Sequence, residues 1–116
     1  MVFYKKNKYN NKKTIINGIK FDSLAEADYY LYLKSSSIEI IEMQPKVYLT
    51  EAKILYKPDF LIKENGKLIY IDVKGVVTPV FAIKRRLWHR YGQGLLREIK
   101  KVGKNFIISK ETLTVK

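Results

Sequence analysis

The sequence contains no cysteine and only one histidine among its 116 residues. Without cysteine there is no disulfide and no thiolate metal site, which fits a reducing cytoplasm. A lone histidine has no histidine or cysteine partner for zinc. No apolar run reaches the roughly 18 residues of a membrane span, and no signal peptide is expected. These absences predict a cytoplasmic protein with no membrane contact.

Acidic residues are also scarce. The chain has 23 Lys and Arg against 11 Asp and Glu, which gives a net charge of +12. Such a surplus indicates a polyanionic partner, with nucleic acid ahead of a membrane surface. The alternative is a lysine-rich composition inherited from an AT-rich genome, since Asn, Ile and Tyr are also plentiful. The length predicts one domain over residues 1–116, with residues 1–13 as a flexible basic arm, an N-terminal strand or a solvated tail.

The strongest local signal is a hairpin in the middle of the chain. Segments 60–63 and 68–74 are rich in aliphatic and β-branched residues, which is typical of strands. Asn65 and Gly66 between them predict a two-residue turn, because both tolerate positive φ. A second hairpin is predicted to turn at Asn17-Gly18 for the same reason.

The hairpin register places Asp59 directly opposite Asp72, on the face away from the core. Cross-strand Cβ atoms lie about 4.5–5.5 Å apart, and like charges at that distance are destabilising. Lys74 projects on the same face, two residues further along. A fold does not need two carboxylates and an ammonium at one spot, whereas a hard cation needs the carboxylates. Phosphoester chemistry uses all three groups.

These residues carry a resemblance to a known family. The letters PD at Pro58, then twelve residues, then DVK resemble the PD-(D/E)XK nuclease motif. Upstream, segment 21–26 (FDSLAE) is similar to the F-x-S-x-x-E opening of the helix that bears this superfamily's first acid. The order of motifs resembles short phage-type endonucleases, which are related to junction resolvases. The resemblance spans residues 21–87.

The resemblance implies an α+β fold, with a mixed central β-sheet flanked by helices in a restriction-endonuclease-like core. It implies a Mg²⁺-dependent DNA endonuclease, with Mn²⁺ as a substitute, that acts on branched or nicked DNA in phage replication or recombination. Its partners would be DNA and a second copy of the chain, so that two strands are cut. Asp59, Asp72 and the Val73 carbonyl would bind the metal. Glu26 would hold a second ion or orient a water, and Lys74 would stabilise the developing charge or position the attacking water.

Three of the candidate residues have ordinary structural explanations that the sequence leaves open. Glu26 lies three residues after Ser23, so it fits a capping box in which its side chain returns to the Ser23 N–H. Gln44 either acts near the site or simply stabilises a turn before a proline. Lys84 either reaches the scissile phosphate or is a solvated basic residue.

The remaining elements follow from periodicity and capping signals. Helices are predicted over residues 24–36, 80–91 and 95–102. Two strands are predicted within residues 38–50, with a break at Gln44, and a closing strand is predicted over residues 105–109. The buried side of the first helix is predicted to hold Leu24, Ala27, Tyr30 and Leu31. The buried stripe of the second is predicted to hold Val80, Ile83, Leu87 and Tyr91.

Two functions compete with an autonomous nuclease. The first is a nucleic-acid-binding protein that keeps the fold without cleaving. Facing carboxylates beside DNA phosphates argue against it, because a pure binder gains nothing from them. The second is a catalytic subunit that stays inactive until a protein partner brings it to DNA. Small size and the absence of a recognition module keep this alternative open.

Overall fold

Ten strands and two helices make up the described part of the chain. The computed structural model describes residues 3–6 and 12–115, with side chains described from residue 13 onward. The elements follow in the order β1 (Phe3–Lys6), β2 (Lys12–Ile16), β3 (Ile19–Phe21), α1 (Leu24–Ser35), β4 (Glu39–Met43), β5 (Val47–Leu49), β6 (Ile54–Tyr56), β7 (Phe60–Glu64), β8 (Lys67–Val73), α2 (Pro79–Tyr91), β9 (Leu95–Val102) and β10 (Asn105–Leu113). No helix in these ranges is long and apolar enough to span a bilayer.

A five-stranded sheet forms the centre of the fold, with strand order β10-β9-β8-β7-β4. Its neighbours pair antiparallel except β8 and β9, which are parallel and are connected through α2. A parallel pair needs a long crossover, and a helix is the usual one. The predicted α+β class with a mixed central sheet is therefore confirmed.

Both predicted hairpin turns are present. Asn65 and Gly66 have φ values of 51° and 78°, and β7 pairs with β8 in the expected register. Asn17 and Gly18 have φ values of 52° and 80° and join β2 to β3. Two consecutive residues with positive φ give the turn whose twist matches the flanking strands. The turn chemistry therefore fixes which side chains of β7 and β8 face each other.

The two helices cover opposite faces of the central sheet. On one face, α1 and the β2–β3 hairpin pack on Phe60, Ile62 and Ile71. On the other, α2 and the two-stranded β5–β6 ribbon enclose Leu61 and Tyr70. Successive side chains of a strand alternate between faces, so both faces of β7 and β8 are apolar. The alternation of residues in the hairpin predicts a core on only one of these faces.

The segment predicted as a third helix is strand β9. It pairs with β8 on one side and with β10 on the other. Its apolar spacing imitates a helix because both faces of a central strand are covered. Leu96 and Glu98 are buried on the α2 face, whereas Ile99 is buried on the α1 face. The predicted closing strand is confirmed as β10 and extends to Leu113.

The buried faces of both helices differ from the predicted ones. In α1, Leu31 is exposed, and Leu33 faces the core instead. In α2, most of the predicted stripe is exposed, and the buried residues are Phe81 and Trp88. Trp88 is fully buried and donates its Nε1–H to the Gly94 carbonyl at 2.8 Å. Rings bury more apolar area than aliphatic side chains, so the aromatic side of α2 turns inward.

The N-terminal segment contributes a strand to a second, smaller sheet. Strand β1 pairs antiparallel with β2, and Phe3 lies opposite Ile15. Of the three alternatives for residues 1–13, an arm, a strand or a solvated tail, the described part of the segment therefore corresponds to the N-terminal strand. Residues 1–2 and 7–11 of the predicted basic arm lie outside the described residues.

Candidate active site

Acidic side chains gather at the open end of the β7–β8 hairpin, where Asp59 lies just before β7. Pro58 has no N–H to add to the sheet. Asp59 donates its backbone N–H to the Ile71 carbonyl at 2.8 Å, and its own carbonyl accepts the Gln44 N–H at 2.9 Å. Two strands therefore fix the backbone of Asp59. Its carboxylate also takes part in the pairing, because Oδ2 accepts the Val73 N–H at 2.7 Å.

Asp72 lies in β8 and is almost completely buried, with 2% of its surface exposed. One carboxylate oxygen, Oδ1, lies 3.2 Å from the Lys74 ammonium. The other, Oδ2, accepts a hydrogen bond from the Tyr56 hydroxyl. Lys74 also lies 4.3 Å from the centroid of the Phe81 ring. The structure thus brings together Asp59, Asp72 and Lys74, as the sequence predicted.

Glu26 reaches the same cluster from the first turn of α1, with 4% of its surface exposed. Ser23 does cap the helix, since its Oγ accepts the Glu26 N–H at 3.1 Å. In a complete capping box the Glu26 carboxyl would accept the Ser23 N–H. Here its backbone hydrogen bond is with Asp22 instead, and its side-chain hydrogen bond is with Asp59. The Glu26 side chain therefore makes hydrogen bonds both at the N-terminal end of α1 and within the acidic cluster.

The cluster contains more carboxyl groups than basic groups, and the pKa values of its carboxyl groups are raised. Burial, followed by the charge of Asp22, raises the pKa of Glu26 from 4.5 to about 7. Burial and the charges of Asp72 and Glu26 raise the pKa of Asp59 well above its usual value. Burial also raises the pKa of Asp72, although Lys74 and the Tyr56 hydroxyl oppose this. A carboxyl group responds in this way when its charge is neither hydrated nor fully compensated.

The donor set fits a hard divalent cation. Carboxylate oxygens are the ligands that Mg²⁺ and Mn²⁺ prefer, and Asp59 and Asp72 each contribute one carboxylate. A cation would supply the positive charge that Lys74 alone does not. In the described residues, however, no three Asp, Glu, His or Cys side chains form a ready-made ligand group. Water molecules or backbone oxygens would therefore have to complete the coordination of a cation held by Asp59 and Asp72.

The other predicted site residues lie at different distances from the acids. Val73 contributes its N–H to the cluster, and its carbonyl as a metal ligand stays a prediction. Gln44 is joined to Asp59 only through its backbone, has φ 48°, and has an exposed side chain. Lys84 lies with its ammonium 5.9 Å from the Tyr56 ring centroid. Lys84 is absent from the ion pairs found within residues 13–115, so its proposed contact with phosphate stays a prediction.

Sequence reasoning missed three residues that border the acids. Tyr56 binds Asp72 directly. Glu98, with 1% of its surface exposed, pairs in register with Asp72 on the neighbouring parallel strand. Arg85 of α2 holds Glu98 through two hydrogen bonds of 2.8 and 2.6 Å, which raise the pKa of Arg85. A strand assignment for residues 95–102 would have placed Glu98 beside Asp72. Tyr56 had no distinguishing signal among nine tyrosines.

The chain belongs to a protein family. Residues 6–105 match the family described as "Protein of unknown function (DUF1064)". A search of curated proteins found no match. The family description names no activity.

Proposed function

We propose that this chain is a metal-dependent DNA endonuclease with a restriction-endonuclease-like core. One observation carries the proposal. Three elements, α1, β8 and the turn before β7, bring the carboxyl groups of Glu26, Asp59 and Asp72 together beside the ammonium of Lys74. Burying like charges lowers stability, and proteins accept such a cost at functional sites.

The topology supports the finer fold assignment. The site lies where an antiparallel hairpin meets the parallel strand β9, and a helix crosses over between them. The resemblance implied this combination of a mixed sheet with helices on both faces. The P-D and D-V-K motifs occupy the two facing strand ends, so their residues converge although twelve residues separate them.

Each acidic and basic group has a proposed role. Asp59 and Asp72 would hold Mg²⁺ or Mn²⁺, and Glu26 would hold a second ion or orient a water. When bound, the metal would polarise a phosphate oxygen and lower the pKa of a water molecule. Lys74, with 29% of its side chain exposed, would meet the phosphate and stabilise the negative charge that develops during cleavage.

The charge balance supports DNA as the substrate. The net charge of +12 suits a polyanion, and α2 carries basic residues and no acidic one. Contacts with phosphates give affinity without sequence information. Binding should therefore weaken steeply with salt and tolerate many sequences. A preference for branched or nicked DNA, and a homodimer that cuts two strands, belong to the proposal through the resemblance alone.

The test uses the purified chain with linear, nicked, single-stranded and four-way DNA in Mg²⁺ and in Mn²⁺. The proposal predicts phosphodiester hydrolysis, fastest on nicked or four-way DNA. No cleavage of any substrate, together with no binding of either metal, would overturn it. Calcium should bind, because it shares the oxygen ligands of Mg²⁺. It should support little cleavage.

A nuclease subunit that needs a protein partner is a second candidate, and one observation favours it. Aliphatic side chains beside Lys74 and along the outer side of α2 are exposed: Val76, Val77, Val80 and Ile83. Contiguous exposed apolar residues often mark an interaction site. Metal binding without cleavage of any of the four DNA forms would favour this candidate over the autonomous enzyme.

A further inference from the structure

The phenol of Tyr56 connects the β5–β6 ribbon to the acidic cluster. Tyr56 is the last residue of β6 and has 4% of its surface exposed. Its hydroxyl donates a hydrogen bond to Oδ2 of Asp72. Burial, followed by the charge of Asp72, raises the pKa of Tyr56, which agrees with a protonated phenol that donates to Asp72.

The ring of Tyr56 is held by its surroundings. It packs at 6.1 Å from Phe81 and edge-on at 5.9 Å from Trp88, measured between ring centroids. Val47 and Leu49 of the partner strand β5 are buried in the same apolar cluster. A hydroxyl carried by a buried ring has few alternative positions, and it can therefore fix the group that it binds.

Lys74 and Tyr56, two of the groups that hydrogen-bond to Asp72, differ in rigidity. Lys74 approaches Oδ1 with a flexible side chain that is 29% exposed, whereas Tyr56 approaches Oδ2 from the core. An ionised carboxylate has about four lone-pair sites, so these two bonds leave room for a metal ion. If Lys74 turns towards a phosphate, the hydroxyl of Tyr56 is the donor that still holds Asp72 in place.

We propose that Tyr56 is a positioning residue, which fixes the Asp72 carboxylate for metal binding through its hydroxyl. The inference rests on the proposed function, because it assigns Asp72 as a metal ligand. Groups that orient metal ligands typically contribute 10–100-fold to metal affinity or activity. Removing only the hydroxyl should therefore weaken metal binding by roughly 10–100-fold. The ribbon β5–β6 would then serve the site as well as the core.

Tyr70 supplies a matched control on the same face of the sheet. It is buried, packs on the same Trp88 at 5.0 Å between centroids, and donates its hydroxyl to Gln93 Oε1 at 2.9 Å. Tyr70→Phe removes a tyrosine hydroxyl from the same apolar cluster without removing a hydrogen bond to Asp59, Asp72 or Glu26. Any general effect of losing a buried hydroxyl should therefore appear in both variants.

The experiment compares wild type, Tyr56→Phe and Tyr70→Phe by calorimetric titration with Mn²⁺ in the absence of DNA. The metal dependence of DNA cleavage is measured beside it. We expect the Mn²⁺ dissociation constant and the half-saturating metal concentration to rise roughly 10–100-fold in Tyr56→Phe. Tyr70→Phe should match wild type in both. Circular dichroism in EDTA sets a temperature at which all three proteins are folded, and the titrations are made there.

Two results would overturn the positioning role. In the first, Tyr56→Phe binds Mn²⁺ as tightly as wild type. In the second, both variants lose affinity equally, which would assign the effect to packing. A wild type that binds no metal is a different failure, because it removes the proposed function and this inference with it. Metal binding without the Tyr56 effect removes the inference alone.

Discussion

Replacing Glu26 with glutamine should stabilise the metal-free protein at alkaline pH. Glu26 is buried among other acids, and its pKa rises from 4.5 to about 7 in the folded state. Between these two values the folded protein keeps a proton that the unfolded chain releases. The free energy of unfolding of the wild type therefore falls as pH rises through this window. Below about pH 4.5 the loss is absent, and above about pH 7 it is complete.

The size of the effect follows from the two pKa values. They differ by about 2.5 pH units, and each unit corresponds to about 1.4 kcal/mol. Ionised Glu26 should therefore cost the folded state roughly 3 kcal/mol at pH 8.5. Glutamine keeps the shape without the charge. For a chain of this size, Glu26→Gln should raise the melting temperature at that pH by roughly 10 °C.

The assay is denaturant unfolding in EDTA from pH 5 to pH 8.5, with the exposed Glu51→Gln as the control. The difference in unfolding free energy between Glu26→Gln and wild type should grow with pH across this range. The control should follow the wild type throughout. A difference that stays constant with pH, or that grows towards pH 5, would refute the argument that Glu26 is forced to ionise inside an acidic cluster.

Other substitutions test neighbouring contacts. Asp59→Asn keeps a side-chain oxygen for its hydrogen bond to the sheet and removes one charge, so melting in EDTA at neutral pH should show a gain on the order of 1 kcal/mol or less. The same variant should lose cleavage and most of the stabilisation that Mg²⁺ gives the wild type. If Mg²⁺ stabilises both proteins equally, the metal binds elsewhere. Glu98→Ala leaves Arg85 without its partner and should cost about 3 kcal/mol in denaturant unfolding, which an unchanged midpoint would contradict. Gly92→Ala would bring a Cβ within 2.5 Å of the buried Trp88 ring and should cost about 1–3 kcal/mol, whereas a neutral result would mean that the ring moves aside.

The sequence predicted the centre of the site because short-range signals determine it. Asn65-Gly66 sets the register of the hairpin, and the register brings the ends of β7 and β8 together. Asp59, Asp72 and Lys74 could therefore be grouped before the fold was known. Glu26 comes from a distant helix, and only the resemblance to a known motif connected it with the other acids.

The predictions are wrong or incomplete where contacts between residues distant in the sequence determine the structure. Segment 95–102 has apolar residues at helical spacing, but pairing with β8 and β10 makes it a strand. The burial of Glu98 depends on Arg85, thirteen residues earlier, and such a pair leaves no local pattern. Helix α2 has apolar residues on two sides, and the volume of Trp88 decides which one is buried. Periodicity alone cannot make that choice.

The most direct test of the central claim is the cleavage rate of Asp72→Asn under single-turnover conditions. Wild type, Asp72→Asn and Glu51→Gln are compared on the DNA form that wild type cuts best, in Mg²⁺ and in EDTA. We expect wild type and Glu51→Gln to cut at equal rates in Mg²⁺ and neither to cut in EDTA. Asp72→Asn should be inactive while still binding DNA, because under the proposed function the Asp72 charge binds the metal. Full activity of Asp72→Asn, or wild-type cleavage in EDTA, would contradict the assignment of this acidic cluster as a nuclease site.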